Sequence, residues 1–161
     1  MDKKISYRRI EERDMAFLSQ VYASTREQEM LLTGWPEGEV NKFLAMQFEA
    51  QHRYYLQVYD QGEEFLVILK EGKEIGRLYI GRWKREIRII DITLLPKYRN
   101  VGIGHYIISE LLAEANQKGI AVSIHVEKTN PALRLYQRLG FIVEEDKGVY
   151  WKLSRLPQKG H

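Results

Sequence analysis

A short segment in the second half of the chain carries the residue types that bind anions. It reads Arg99-Asn100-Val101-Gly102-Ile103-Gly104, follows a β-rich run that stops at Pro96, and precedes an amphipathic helical pattern. Free backbone N–H groups and the helix dipole favour an anion at such a helix N-terminus, and a phosphate group is the expected ligand. Glycine at positions 102 and 104 lets a pyrophosphate approach the backbone, because no Cβ stands in the way. Arg99 can add a charge-assisted contact or brace the turn.

Two other phosphate-binding motifs are excluded by the spacing. A P-loop requires Gly-x-x-x-x-Gly-Lys followed by Ser or Thr, which the chain lacks. A dinucleotide fingerprint requires glycine where Ile107 stands. The Arg-x-x-Gly-x-Gly form remains, although a Gly-x-Gly pair alone is often only a structural turn.

The composition narrows the chemistry further. The 161 residues suit one domain, and the absence of cysteine excludes disulfides, thiolate metal sites and cysteine nucleophiles. The 25 basic and 22 acidic residues are interspersed, which argues against nucleic-acid binding. The first ten residues contain no signal-peptide pattern and no stretch is long and apolar enough for a membrane span, so a cytoplasmic location is expected. His105 and His125 have no partner at ligand spacing, and no metal is expected.

The anion-binding turn must be positioned by the elements on either side of it. Hydrophobic periodicity predicts strands over residues 4–10, 65–70, 75–83, 87–95, 120–126, 141–143 and 149–153. Helices are predicted around residues 15–22, 40–48, 103–118 and 130–139, with Asn130 as a cap and Pro131 at the first helical position. Residues 24–36 lack periodicity and are predicted to be a loop. The apolar run over residues 120–126 suggests a strand buried on both faces, as in the parallel part of a sheet.

Two segments resemble the signatures of the GNAT acyltransferase superfamily. In that family a strand that ends near a proline is followed by the motif (Arg/Gln)-x-x-Gly-x-(Gly/Ala) and then by a helix. Residues 92–104 here have this form. A second signature follows, at the sequence separation from the first that is usual in this family. It reads Asn-Pro-Ala-Leu-Arg-Leu-Tyr-Gln-Arg-Leu-Gly-Phe over residues 130–141. The specific motifs cover residues 87–141, and the order of strands and helices extends the resemblance loosely over the chain. It implies a single acetyltransferase domain over residues 1–155. Residues 156–161 lack periodicity and are expected to be a frayed tail.

The fold that this resemblance implies is a mixed α/β sheet of about six or seven twisted strands, flanked by helices and splayed between its fourth and fifth strands. Acetyl-CoA would lie in the split, between residues 92–95 and 120–126. The implied cofactor-binding residues are Ile92, Thr93, Leu94, Arg99, Asn100, Val101, Gly102, Ile103, Gly104, His105, Asn130 and Tyr136. Within this set, backbone groups of Thr93 and Leu94 would meet the acetyl carbonyl and the pantetheine amides.

The resemblance also implies direct attack of an amine on the bound thioester. Tyr136 matches the position of a tyrosine that donates a proton to the departing thiolate, although it also lies on an apolar helix face and could serve packing alone. Asp91 is a candidate general base, with a structural or solvated aspartate as the alternative. Asn130 would contact the pantetheine arm, yet its role as a helix cap would also account for it.

Acceptor contacts in this superfamily come largely from the loop between the first two helices, here with Glu27, Glu29 and Trp35. The acids could attract a cationic amine and the indole could stack on it, or the loop could be merely solvated. The expected reaction is N-acetyl transfer from acetyl-CoA to a primary amine of a small molecule, protein or peptide. The alternative is a non-catalytic acyl-CoA-binding regulatory module. Expected partners are acetyl-CoA and the amine, without nucleic acid or membrane, and a homodimer remains open.

Overall fold

The structure is a computed structural model that describes residues 4–158. Its elements are β1 (Ile5–Arg9), α1 (Met15–Ser24), α2 (Glu27–Leu31), α3 (Glu37–Val58), β2 (Glu64–Lys70), β3 (Lys73–Arg82), β4 (Glu86–Leu94), α4 (Ile103–Lys118), β5 (Ala121–Glu127), α5 (Leu133–Arg138), β6 (Ile142–Lys147) and β7 (Tyr150–Arg155). The seven strands are hydrogen-bonded in the order β1-β2-β3-β4-β5-β7-β6. The expected mixed α/β sheet with flanking helices is confirmed. Every helix within the described residues is too short or too polar to cross a bilayer.

The described chain divides into two compact units. The N-terminal unit comprises residues 4–77 and 93–99, and the C-terminal unit comprises residues 78–92 and 100–158. In the N-terminal unit, β1 pairs antiparallel with β2, from Ile5 opposite Lys70 to Arg9 opposite Leu66. The helices of this unit share a buried cluster formed by Leu18, Tyr22, Met30, Leu44 and Phe48.

The entry to α1 is held by a buried carboxylate. Asp14 accepts a hydrogen bond from the backbone N–H of Glu11 at 2.7 Å. Two further bonds come from the Arg8 guanidinium, at 2.7 and 2.9 Å. Hydrogen bonding to Arg8 holds the pKa of Asp14 below its usual range. This bidentate pair ties the end of β1 to the start of the first helix.

The C-terminal unit places α4 against β5. β5 runs parallel to β4 and antiparallel to β7, which in turn pairs with β6. The apolar stripe of α4 is buried over Ile107, Ile108, Leu111, Leu112 and Ala115. Gly119 ends the helix in the left-handed conformation that glycine adopts at low cost. The parallel pairing of β5 agrees with the apolar run in its sequence, although its His125 side chain is exposed.

The structure corrects three of the predicted elements. The loop predicted over residues 24–36 contains α2, whose five residues are too few to show a helical period. α5 begins at Leu133 rather than at Pro131, because the chain first makes a turn at Asn130. β6 extends to Lys147, beyond the predicted residue 143, because pairing with β7 continues through three exposed acidic residues that lack an apolar alternation.

The chain after β7 has no regular structure over residues 156–158, where the amide of Gln158 donates to Asn116 Oδ1 at 2.9 Å. The remainder of the predicted tail lies outside the described residues.

Candidate functional site

The turn that precedes α4 leaves backbone donors open at the helix N-terminus. The first amide to donate within the helix is that of Tyr106, 3.0 Å from the carbonyl oxygen of Gly102. No side chain among residues 4–158 caps this helix start. The N–H groups of residues 103–105 therefore have no acceptor along the helix, which is the arrangement that binds an anion.

The two glycines of the turn differ in whether their backbone angles require glycine. Gly102 has φ +90°, and Asn100 is also left-handed with φ +60°. Such angles are costly for most residues, and asparagine is among the few that tolerate them. Gly104 lies inside α4 and is not left-handed. The backbone conformation thus favours glycine at position 102 even without a ligand, whereas at position 104 it does not.

The side chain of Arg99 braces the loop after β4. Its Nε donates to the carbonyl oxygen of Leu94 at 2.8 Å. Its Nη2 donates to the hydroxyl of Ser24 at 3.0 Å, and that buried hydroxyl donates to the carbonyl oxygen of Val21 at 2.7 Å. All four residues belong to the N-terminal unit. Of the two roles open to Arg99, bracing is the one that its hydrogen bonds serve.

In the C-terminal unit, β4 and β5 are paired over only part of their lengths. The parallel register runs from Glu86 opposite Ala121 to Ile89 opposite Ile124. Both strands continue beyond that register, and the side chains of residues 90–92 are partly exposed, in contrast to the buried residues 87–89. This geometry is the one expected of a fourth and a fifth strand that separate.

Tyr136 and Asp91 interact across this unit. The Tyr136 side chain is 4% exposed, and its ring packs edge-on against Phe141 with centroids 5.6 Å apart. Burial raises the pKa of the Tyr136 phenol above its ordinary value, and the negative charge of Asp91 raises it further. The phenol is therefore neutral at physiological pH and able to act as a proton donor. Asp91, a partly exposed residue of β4, lies close enough to influence that proton.

Asn130 shapes the entry to α5. Its Oδ1 accepts the backbone N–H of Ala132 at 2.8 Å, and its carbonyl oxygen accepts the N–H of Leu133 at 3.1 Å. These bonds are those of a turn that leads into a helix, so Asn130 has a structural role whether or not it also binds a ligand.

The two histidines differ in their surroundings. His105, in the first turn of α4, is exposed, and its Nδ1 lies 3.4 Å from the hydroxyl of Ser109. His125 is exposed on β5, and its pKa is lowered first by partial desolvation and then by the charge of Arg88. No cluster of three or more His, Asp or Glu side chains in the described part of the chain could hold a metal ion.

The predicted acceptor residues lie on α2 and the turn after it, in the N-terminal unit. Glu27 and Glu29 are exposed, and Glu29 Oε1 lies 3.4 Å from Nη1 of Arg26. The indole of Trp35 is half-exposed and packs edge-on against Phe43, with ring centroids 5.4 Å apart. The indole is therefore anchored by ring packing, whereas both carboxylates are exposed.

Sequence reasoning missed a glycine that controls the end of β4. A Cβ added to Gly76 of β3 would fall on the carbonyl oxygen of Thr93. The backbone at Thr93 and Leu94 therefore keeps its position only because residue 76 has no side chain. An isolated glycine inside a strand pattern is a known sign of close backbone approach, and that sign was present in the sequence.

Comparison with known proteins places these features in a family. Residues 20–141 match the family model described as the acetyltransferase (GNAT) family. A comparison with curated protein sequences found no significant match.

Solved structures share the fold at low sequence identity. The PaiA N-acetyltransferase of Thermoplasma acidophilum, solved with coenzyme A, has a TM-score of 0.67 and 18% identity, with 94% of this chain and 98% of that chain covered. Ard1 of Thermoplasma volcanium has a TM-score of 0.62 and 14% identity, with 97% and 99% covered. Naa50 of Arabidopsis thaliana, solved with the bisubstrate analogue CoA-Ac-MVNAL, has a TM-score of 0.59 and 15% identity, with 94% and 98% covered.

These likenesses establish the fold, and the family match spans most of the chain, including the turn, β4, β5 and α5. The chain therefore belongs to the GNAT acetyltransferase family.

Proposed function

We propose that this chain transfers an acetyl group from acetyl-CoA to a primary amine, which attacks the thioester directly. The observation that carries the proposal is the uncapped N-terminus of α4, with glycine at positions 102 and 104. Its open N–H groups suit the pyrophosphate of coenzyme A. The coenzyme A ligands named for PaiA and Naa50 support the choice of donor. When bound, acetyl-CoA supplies the activated thioester.

Most of the proposed donor contacts come from backbone groups. The backbone of residues 100–105 would hold the pyrophosphate, Asn130 would contact the pantetheine arm, and Ile92 would line it. Backbone groups of Thr93 and Leu94 would meet the acetyl carbonyl and the pantetheine amides. Arg99 would keep the loop in place. Proximity and a backbone donor to the carbonyl would supply much of the rate acceleration.

The proton transfers would involve two side chains of the C-terminal unit. The incoming amine must be neutral to attack, and Asp91 would accept its proton directly or through water. Tyr136 would give a proton to the departing thiolate, a role that its protonated phenol permits. Glu27, Glu29 and Trp35 of the N-terminal unit would bind the acceptor.

The donor assignment is tested with Gly104→Val, because the family signature itself allows alanine at this position. Valine is at least as favourable as glycine within a helix, so the variant should be about as stable as the parent in thermal unfolding. Its branched side chain would obstruct the pyrophosphate, and we expect acetyl-CoA to bind about 10-fold or more weakly by calorimetry. Gly38→Val is the matched control, because Gly38 is also the second residue of a helix and a Cβ there meets nothing within 4 Å. Unchanged acetyl-CoA affinity in Gly104→Val would contradict the assignment. Gly102→Val is a poorer test, since φ +90° strains valine in the free protein.

The reaction itself is tested with a panel of amines and acetyl-CoA, by following free thiol release against a control without amine. Release that depends on an amine supports the transferase. Tight acetyl-CoA binding with no amine-dependent release would instead identify a non-catalytic acyl-CoA-binding module.

A further inference from the structure

Two adjacent leucines on the predicted acceptor surface are exposed to solvent. Leu31 and Leu32 are 75% and 90% exposed, and the nearby Trp35 is 48% exposed. We call residues 31–35 the leucine segment. Single apolar residues on a surface are ordinary, but two neighbouring leucines with a half-exposed indole are typical of an interaction site.

The leucine segment is held in place rather than frayed. The preceding residue, Met30, is buried in the helical core. The Thr33 hydroxyl donates to the Met30 carbonyl oxygen at 2.7 Å and accepts the Trp35 N–H at 3.1 Å. The Trp35 ring rests on Phe43. The exposure of both leucines is therefore built into the fold.

The charges around the leucine segment have one predominant sign. Residues 25–40 contain four exposed carboxylates and one guanidinium, in a chain whose formal charge is +3. The carboxylates belong to Glu27, Glu29, Glu37 and Glu39, in the first turns of α2 and α3, where they also favour the helix dipoles. The surface thus combines apolar side chains with a negative charge that suits a cationic partner.

The degree of exposure distinguishes between two kinds of acceptor. Small-molecule sites are concave and bury roughly 70–90% of the ligand surface. Leucine side chains that are themselves 75% and 90% exposed do not enclose a small amine. They can be covered by a longer partner that lies across them, as in the apolar centre of a peptide or protein interface.

We propose that the amine acceptor is a cationic polypeptide whose reactive amine is flanked by a bulky apolar side chain, and that the leucine segment contacts that side chain. This inference rests on the proposed acetyl transfer. It names the substrate class, and it makes Leu31 and Leu32 residues that determine specificity.

The first arm of the test compares matched amines with acetyl-CoA as donor. The peptides Ala-Leu-Arg-Gly-Gly and Ala-Ser-Arg-Gly-Gly differ only in the residue beside the amino terminus. A second pair, with a blocked terminus and one lysine flanked by leucine or by serine, distinguishes a side-chain amine from a terminal one. Phenethylamine and spermidine represent free small amines. We expect kcat/KM to be about 10-fold or more higher for one leucine peptide than for its serine partner, and higher than for either small amine.

The second arm changes the protein. Leu31→Ser combined with Leu32→Ser should remove the preference for the leucine peptide and leave acetyl-CoA affinity unchanged. Substitutions of exposed residues change the free energy of unfolding little, so the fold should persist. Leu56→Ser is the matched control, because Leu56 is a half-exposed leucine of α3 in the same unit.

The outcomes distinguish this inference from the proposed function. Small amines that match the peptides, or a double variant that keeps the parent's preference, would overturn the inference while acetyl transfer stands. A parent that is dimeric by sedimentation and a monomeric double variant with unchanged peptide preference would also overturn it, since the leucines would then serve self-association. Failure of every amine with acetyl-CoA bound would refute the transferase itself.

Discussion

At the scale of single residues, Tyr136 is the group whose environment bears most directly on proton transfer. Its ring is fixed against Phe141, and both burial and the charge of Asp91 oppose its ionisation. A phenol in this state can donate a proton but is a poor base near neutral pH. The same burial would also follow from packing alone, so the hydroxyl and the ring must be tested separately.

Tyr136→Phe makes that separation, because it keeps the ring and removes the proton. We expect the turnover number to fall by about 10²–10⁴-fold, with acetyl-CoA affinity and thermal stability close to those of the parent. Single-turnover measurements are needed as well, since product release can mask a slower chemical step. Tyr150→Phe, on the exposed part of β7, is the control. Full single-turnover activity in Tyr136→Phe would leave water as the proton donor.

Arg99 allows a second prediction at this scale. Lysine retains the charge but cannot reproduce the directions of the two bonds to Leu94 and Ser24, so Arg99→Lys should lower the free energy of unfolding by about 1–3 kcal/mol. In a double-mutant cycle, the effects of Ser24→Ala and Arg99→Lys on the free energy of unfolding should not be additive. The exposed Arg9→Lys serves as control. If Arg99 acted as a phosphate ligand instead, Arg99→Lys would weaken acetyl-CoA binding without loss of stability.

At the scale of elements, α4 links the core of the C-terminal unit to the proposed donor site. Its N-terminal turn carries the open amides, while the following turns bury an apolar stripe against β5. The helix therefore has a proposed binding end and a packing face, and changes to the two should have separable effects.

Leu111→Ala tests the packing face. Leu111 is buried, and its truncation should lower the free energy of unfolding by about 2–5 kcal/mol in chemical denaturation. Glu110→Ala, on the exposed side of the same helix, should change it by only about 0.5 kcal/mol. A Leu111→Ala protein with the parent's stability would mean that the helix face is misplaced. Residual activity per folded molecule should stay near that of the parent, because Leu111 is remote from the open amides of the first turn.

At the scale of the whole molecule, the shifted pKa values should lower the free energy of unfolding as the pH falls. The pKa of His52 is lowered by desolvation and then by the charge of Arg77, and the pKa of His125 is lowered as well. Each unit therefore has a histidine whose folded form prefers to be neutral. Asp14, in the N-terminal unit, and Glu114, in the C-terminal unit, have pKa values lowered by hydrogen bonds from Arg8 and Arg82, respectively.

The pH dependence of stability follows from the sign of these shifts. A depressed histidine pKa means that the unfolded chain binds more protons below about pH 6.5, so stability should begin to fall there on acidification. The depressed carboxyl pKa values add a second loss, below about pH 4, as these groups are protonated. Chemical denaturation from pH 8 to pH 3 measures both phases. His52→Gln should diminish the first phase and leave the second, and an unchanged first phase would contradict its assignment to His52.

Local sequence indicated most of the elements and the proposed anion-binding turn. The alternation of apolar residues, the strand stop at Pro96 and the glycines at positions 102 and 119 indicated β4, α4 and the helix ends, because those signals act within a few residues. The family resemblance of residues 87–141 also rested on such local motifs. Only the tertiary structure revealed what distant contacts decide, namely the bracing of Arg99 by Ser24, the close approach of Gly76 to Thr93, and the exposure of Leu31 and Leu32. The burial of Tyr136 beside the charge of Asp91 is of the same kind, since a pKa depends on neighbours that the chain brings together only when it folds.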